Sequence, residues 1–337
     1  MRFALIGAGV IGAVHARLLE ALGDEAVLVA VVDKDLDRAG KIVSQYGGRA
    51  YPAPADAYAA EEIDAVGICL PSALHADVAV EALHAGKHVV VEKPVDISLA
   101  AADRLIDAQR ETGLTVAVIS QRRFQPPVAQ IRAAIDSGAL GRVTSGIAES
   151  AFFRPQSYYD GDDWRGTLAV DGGGALMNQG IHALDLLVWM LGRPIRVSAQ
   201  TGRLAHEGIE VEDLAGATIV FESGAIGLML ASTAAYPGRP VRLTIHGDQG
   251  TAVLDDDQLA YFDAADATAP EAPALEGPDG WGPTELAHLA QYRDFIAAVR
   301  EGRPPAVTLE AGRRSLATVL AVYESARSGQ PVELKEN

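Results

Sequence analysis

Phe3-Ala4-Leu5-Ile6-Gly7-Ala8-Gly9-Val10-Ile11-Gly12 is the stretch whose reading decides the fold. Four apolar residues read as a short buried strand, and after the glycines Ile11, Val14, Leu18 and Leu22 fall on one face of a helix. Three glycines at this spacing between a strand and a helix form a dinucleotide fingerprint. Gly7 permits the tight turn, Gly9 lets the backbone approach a pyrophosphate, and Gly12 lets helix and strand pack closely. The helix start at Val10 and Ile11 offers free N–H groups and the positive end of a dipole to the phosphates.

Working outward, an alternation of strands and helices continues. A strand from Val27 to Val32 ends in Asp33, an acid placed to accept hydrogen bonds from the adenosine ribose and to repel a 2′-phosphate, which favours NAD over NADP. Lys34 and Arg38 soften that preference, and Asp33 also reads as a helix cap ahead of Leu36. A strand from Asp64 to Leu70 leads through Pro71-Ser72 into a helix closed by Gly86. Val89-Val90-Val91-Glu92-Lys93-Pro94 is a strand buried on both faces with a polar carboxyl end, and Thr115 to Ile119 is another, ending in Ser120-Gln121. Ligands of open parallel sheets lie outside the carboxyl ends of the strands. Leu70, Pro71, Ser72, His75, Glu92, Lys93 and Gln121 are therefore expected at the cofactor edge. His75 reads equally as a surface helix residue, and Glu92-Lys93 as a solvated ion pair.

From Gly141 the pattern changes to strands without regular crossover helices: 143–153, 195–203, 217–221, 225–232, 241–246 and 251–255, with Glu222-Ser223-Gly224 as a hairpin signal. The expected fold is an N-terminal Rossmann domain over 1–122 and an α+β domain over 123–337 with a large, mostly antiparallel open sheet. A last helix over about 308–328 is expected to pack back on the first domain. Residues 225–231 are apolar on both alternating faces, so a second subunit is expected to cover one of them, giving a homodimer or homotetramer. Residues 263–283 read as a mobile loop. On the following helix, His288, Gln291 and Tyr292 form a polar side that reaches a pocket or faces water.

A second stretch with chemical character is Asp171-Gly172-Gly173-Gly174-Ala175-Leu176-Met177-Asn178-Gln179-Gly180-Ile181-His182-Ala183-Leu184-Asp185. On a helix, Asn178, His182 and Asp185 share one face. The glycines are costly at an ordinary helix start and suit close approach to a ligand.

A formal charge of −17 argues against nucleic acid as a partner. The single Cys69 excludes an internal disulfide and a CxxC zinc site and fits a reducing compartment; no metal-ligand spacing stands out. The apolar stretch after Arg2 is too short for a cleavable signal, and no run is long enough to span a bilayer, so a soluble cytoplasmic protein is expected.

The fingerprint, Pro71-Ser72-Ala73-Leu74-His75 and Ala85-Gly86-Lys87-His88-Val89-Val90-Val91-Glu92-Lys93-Pro94 together resemble the Gfo/Idh/MocA family of glucose-fructose oxidoreductase and inositol dehydrogenase. The resemblance implies a nicotinamide enzyme acting on sugars or cyclitols, with Lys93 beside both nicotinamide and substrate. It implies a substrate-facing His182 on the glycine-rich helix, and a pocket completed by Arg154, Tyr159, Trp164 and Arg165. Asn178 departs from the family's usual Asp. It can orient a hydroxyl but cannot act as a base, a role left to His182, while Lys93 stabilises the developing alkoxide and Asp185 orients the imidazole. The expected function is reversible NAD-dependent oxidation of a secondary ring hydroxyl of a sugar, sugar acid or cyclitol. Competing readings are a nucleotide-sugar dehydrogenase with Arg154 and Arg165 on the diphosphate, a glycosidase that oxidises transiently with bound NAD, and a catalytically reduced NAD-bound sensor.

Overall fold

Each apolar run of the first third becomes a strand of one parallel sheet. The structure, a computed structural model, describes residues 1–161 and 164–335. In chain order the first elements are β1 (Arg2–Ile6), α1 (Val10–Ala21), β2 (Val27–Val32), α2 (Leu36–Tyr46), β3 (Arg49–Tyr51), α3 (Pro54–Ala60), β4 (Ala65–Ile68), α4 (His75–His84), β5 (His88–Val91), α5 (Leu99–Thr112) and β6 (Val116–Val118). The sheet order is β3-β2-β1-β4-β5-β6, with parallel pairing throughout. The order reverses between β1 and β4, the crevice where such sheets take a ligand. Val89, Val90 and Val91 are buried between two neighbouring strands, as a continuous apolar run requires. The expectation omitted β3 and α3. A three-residue edge strand carries no apolar run, and α3 is mostly alanine.

The middle of the chain supplies α6 (Pro126–Asp136), β7 (Val143–Ala151), α7 (Gln156–Asp160), a π-helical turn (Leu176–Gly180), α8 (Ile181–Leu191), β8 (Pro194–Gly202), β9 (Leu214–Phe221), β10 (Ile226–Ser232), β11 (Arg242–Gly247), β12 (Gly250–Asp255) and β13 (Gln258–Ala264). With β14 (Val332–Glu333) these strands form a sheet in the order β13-β12-β11-β7-β10-β9-β8-β14. Only the β7–β10 pair among them is parallel. Helix α8 packs on β7, β10 and β11. Along β10 the residues alternate: Gly227, Met229 and Ala231 are buried, whereas Ile226, Leu228 and Leu230 stand 48%, 44% and 39% exposed.

The remaining helices are α9 (Pro283–Glu301) and α10 (Leu309–Ser328). By packing, the chain divides into Met1–Gln121 with Glu276–Arg313, and Arg122–Leu275 with Arg314–Asn337. This corrects the single cut expected at 122/123. Helix α9 supplies Leu289, Tyr292, Phe295 and Ile296 to the core around Phe3 and Leu5. His288, Gln291 and Tyr292, the expected polar side, are buried too; Tyr292 bonds His15 and Gln291 accepts from the Ser120 N–H inside the first unit, and His288 packs its ring on His15. Most of α10 belongs to the second unit: Ser315 bonds Asp185, Tyr323 bonds Glu212, and Ser325 accepts from the Ala199 N–H. Among the described residues, no helix is long and apolar enough to cross a membrane.

The triple glycine has a packing explanation. A Cβ on Gly173 would lie 2.3 Å from the Tyr323 hydroxyl, one on Gly174 1.8 Å from the Glu212 carbonyl oxygen, and one on Gly180 2.6 Å from the Ala231 Cβ. Protein atoms fill the space that the sequence reading assigned to a ligand. Gly174→Ala therefore destabilises the protein by about 2–3 kcal/mol, since backbone has to move. Denaturant unfolding checks this, and an unchanged midpoint would return the glycines to the ligand.

Candidate active site

At the cofactor edge the three fingerprint glycines do different work. Gly7 has φ +104°, and a Cβ there would meet the Cys69 carbonyl oxygen at 2.4 Å. A Cβ on Gly12 would lie 2.1 Å from the Gly7 carbonyl oxygen. Around Gly9, its own chain neighbours apart, no described residue comes within 4 Å of a Cβ position, which is the room a pyrophosphate needs at the start of α1. Asp33 accepts from the Ala8 N–H at 2.8 Å and the Asp35 N–H at 2.9 Å, tying the glycine loop to the end of β2. The helix cap is instead Asp35, which accepts from the Arg38 N–H at 3.1 Å. Lys34 beside it is exposed. Leu70, Pro71 and Ser72 follow β4 half-buried, and Gln121 after β6 is buried with Oε1 lacking a partner among the described residues. These residues fit a dinucleotide.

Glu92 corrects the sequence reading. It is 5% exposed, so it is not a solvated ion-pair partner. One carboxylate oxygen lies 2.9 Å from His15 Nε2, and the other accepts from the Lys93 N–H at 3.0 Å. His15, on α1, carries no motif that marks it. Its Nδ1 lies 2.5 Å from the Tyr292 hydroxyl, and its ring packs 5.9 Å from that of His288. Burial opposes both charges, yet Cys69, Tyr292 and Glu92 raise His15 well above its ordinary range, and His15 and Lys93 hold Glu92 far below the usual carboxylate range. Burial pushes His288 down to about 4. Ligand-type atoms of His15, Glu92 and His288 lie within 4.8 Å of one another, a set from three elements that no sequence spacing displays. His15 and Glu92 already satisfy each other.

His75 is also corrected. It is 1% exposed, and its ring nitrogens lie 2.7 Å from the Pro94 carbonyl and 2.8 Å from the Leu70 carbonyl. Burial lowers its pKa, and a neutral ring donates to one of the two. His75 thus braces the loops after β4 and β5. Lys93 is half-buried, joined to Pro94 by a cis peptide.

In the second unit, the Asn178 amide donates from Nδ2 to Asp171 at 3.1 Å, and the other Asp171 oxygen accepts from the Gly166 N–H at 3.0 Å. Glu212 accepts from the N–H groups of Gly174 and Leu176 at 2.9 and 2.8 Å and from the Tyr323 hydroxyl at 3.0 Å, fixing the start of the glycine-rich segment. Asn178 lies in the π-helical turn and His182 in the first turn of α8, both half-buried. Widened turns of this kind recur at functional sites. Asp185 is buried, gripped by Arg123 at 2.6 and 2.7 Å and by Ser315 at 2.8 Å.

Tyr159 is buried. Its hydroxyl bonds Thr233 at 2.8 Å, burial pushes it up to about 12, and its ring packs 4.7 Å from that of His206. Its neighbour Tyr158, which sequence reasoning missed, gathers the loop instead. The Arg154 and Arg165 guanidinium groups lie 5.1 and 4.5 Å from its ring centre, and Arg165 also lies 4.8 Å from Trp164. Gln179, next to Asn178, donates to the Tyr158 hydroxyl at 3.2 Å. Arg154 Nε and Gln179 Oε1 are buried without partners among the described residues.

Comparison with known proteins follows the same division. Residues 1–120 match the oxidoreductase family model with an NAD-binding Rossmann fold, and residues 128–253 match the GFO/IDH/MocA C-terminal domain. The chain is 28% identical to myo-inositol 2-dehydrogenase of Thermotoga maritima, over 100% of this chain and 99% of that protein. The crystal structure of the WlbA dehydrogenase from Bordetella pertussis, in complex with NADH and UDP-GlcNAcA, is similar with TM-score 0.88 and 31% identity, covering 100% of this chain and 99% of that one. Levoglucosan dehydrogenase in complex with NADH shares the fold, with TM-score 0.91, 21% identity and 100% coverage of both chains. The chain is an NAD-binding oxidoreductase and belongs to the GFO/IDH/MocA family.

Proposed function

We propose that the protein oxidises a secondary ring hydroxyl of a sugar, sugar acid, cyclitol or nucleotide-linked sugar to a ketone with NAD, reversibly, and that among these it favours a substrate with an anionic group. The observation that carries the second part is the pair of guanidinium groups on the Tyr158 ring, with Arg154 Nε buried and without a partner among the described residues. Two planar forks held beside one aromatic ring suit a carboxylate or a diphosphate. Among the relatives, one is named UDP-N-acetylglucosamine 3-dehydrogenase, 29% identical, whose substrate carries a diphosphate, whereas others are named inositol dehydrogenases, whose substrates are neutral.

In this reading Gly7, Gly9, Val10, Ile11, Gly12 and Asp33 hold the dinucleotide, with Leu70, Pro71, Ser72 and Gln121 along the same edge. When bound, NAD supplies the two-electron acceptor. His182 takes the hydroxyl proton, an imidazole being the side chain whose ordinary pKa lies near neutral pH. The Lys93 ammonium stabilises the alkoxide as it forms. Asn178, its rotation fixed by Asp171, orients the hydroxyl without taking its proton. Trp164 closes the loop on Arg165.

Lys93→Met and His182→Asn are each expected to lower turnover by about 10²-fold or more while NADH binding persists. NADH formation at 340 nm, screened across inositols, aldoses, sugar acids, anhydrosugars and nucleotide sugars, supplies the assay. Near-normal turnover in either variant removes that residue from the chemistry. Release of a leaving group without net NADH favours the glycosidase reading instead.

Arg154→Met and Arg165→Met are expected to raise KM for an acidic or nucleotide-linked substrate by about 10-fold or more each and to leave KM for a neutral cyclitol within about twofold. Equal effects on both classes would argue against an anion site.

The apolar stripe of Ile226, Leu228 and Leu230 supports a homo-oligomer that buries this face of the second sheet. Light scattering at micromolar concentration is expected to give a dimer or tetramer, and Leu228→Glu to dissociate it. A monomeric wild type contradicts the proposal.

A further inference from the structure

We propose that the buried His15–Glu92 ion pair is the positioning element of Lys93, holding its backbone in place and setting a fixed negative charge beside its ammonium group. The proposal rests on Lys93 acting in turnover, as argued above.

Glu92 closes β5, and its two oxygens face different ways: one meets His15 Nε2 at 2.9 Å and the other the Lys93 N–H at 3.0 Å. A carboxylate that accepts from the next residue's amide fixes the direction in which the chain leaves the strand. His15 comes from the fingerprint helix and is fully buried, and the Tyr292 hydroxyl at 2.5 Å holds its other nitrogen. The ring therefore cannot turn away without losing both partners. Three elements, α1, β5 and α9, thereby hold the residue that precedes Pro94.

Simple surface pairing does not account for this arrangement. Removing two charges from water costs several kcal/mol each, and a hydrophobic pair of similar volume would stabilise the core as well. The charges serve something besides stability. The Lys93 charge is among the influences that keep the Glu92 carboxyl ionised. Pairwise electrostatic coupling is reciprocal, so the Glu92 charge favours the protonated Lys93 ammonium by the same interaction. The other titratable groups around the pair are Cys69 after β4, His75 from α4, and His288 and Tyr292 from α9. Burial keeps His288 neutral at working pH and the tyrosine hydroxyl protonated, so neither replaces the charge of Glu92.

The test reads Lys93 directly and needs no substrate. The chain has five lysines, at 34, 41, 87, 93 and 335, so reductive methylation with ¹³C-formaldehyde gives a short set of dimethyl-lysine NMR signals. The signal missing from Lys93→Arg belongs to Lys93. In Glu92→Gln, which keeps the shape and an acceptor for the Lys93 N–H but removes the charge, the Lys93 signal is expected to titrate at lower pH than in the wild type. His15→Asn takes away the partner that fixes the Glu92 carboxylate and is expected to shift or broaden the Lys93 signal, because the carboxylate is no longer held in one orientation against the Lys93 N–H. A Lys93 titration that superimposes on the wild type's in Glu92→Gln, or an unchanged Lys93 signal in His15→Asn, overturns the proposal. If both variants are too unstable to measure, Tyr292→Phe is decisive. It frees one His15 nitrogen and is expected to broaden or shift the Lys93 signal alone among the five, and an unchanged signal there overturns the proposal too. The NMR readout fails independently of turnover: Lys93→Met with normal NADH formation would refute the functional reading, whereas an unmoved titration refutes only the positioning role.

Discussion

A carboxylate kept ionised away from water is the constraint that organises the first unit. Glu92 ends β5 in the interior, where a lone charge is untenable, so the chain has to bring a counter-charge to it. His15 arrives on α1 because the fingerprint glycines let that helix start close against β1 and β4. Tyr292 arrives on α9, from a segment more than two hundred residues later in sequence. That requirement explains why the nucleotide-binding unit is built from two pieces of chain. Gln291, one residue before Tyr292, accepts from the Ser120 N–H at 3.0 Å and donates to the Val118 carbonyl at 2.8 Å, so the same helix satisfies backbone groups at the end of β6. One helix thus serves the carboxyl ends of two adjacent strands, where polar backbone has no further strand to pair with.

The second unit repeats the logic with different carboxylates. Glu212 binds two N–H groups at the start of the glycine-rich segment and the Tyr323 hydroxyl, Asp171 binds the Asn178 amide and the Gly166 N–H, and Asp185 binds Arg123 and Ser315. Burial raises Glu212, while its backbone donors and Tyr323 pull it back. A glycine-rich turn has little side-chain packing of its own. Its shape is set by acceptors placed around its N–H groups, and the absence of Cβ atoms lets those acceptors come close.

How much of this was legible in the sequence depends on the range of the interaction. The fingerprint, the doubly wound sheet and the β9–β10 hairpin are local patterns, with the glycine spacing or the apolar period written within a dozen residues, and they match the structure. The partners of polar side chains are not local. Glu92 looked like an end-of-strand residue facing a ligand because nothing near it in sequence names His15, 77 positions earlier. His75 read as a group beside the cofactor or equally as a surface helix residue, because the carbonyls it braces belong to separate turns. The polar side of α9 read as reaching a pocket or facing water for the same reason. In the glycine run the residue types were read correctly and the cause was not, since Tyr323 and the Glu212 carbonyl lie far along the chain. Tyr159 and Tyr158 are adjacent and chemically identical, and only the fold decides that one is buried against Thr233 while the other carries two guanidinium groups.

Those two guanidinium groups sit on a chain with a formal charge of −17, which bears on how an anion would be recognised. At physiological salt the field of distant charges is screened beyond about 8 Å, so the overall negative charge does little at the site itself and contact groups dominate. Stacking Arg154 and Arg165 on Tyr158 removes much of the freedom of two long side chains before any ligand arrives, which lowers the entropy lost on binding. This anchoring sits in a loop ahead of the glycine-rich segment, whereas Lys93 and His182 sit at the ends of regular elements. Substitutions in such a loop change what is bound without disturbing the residues at a strand end or in a helix turn, and the family's varied substrates call for that separation.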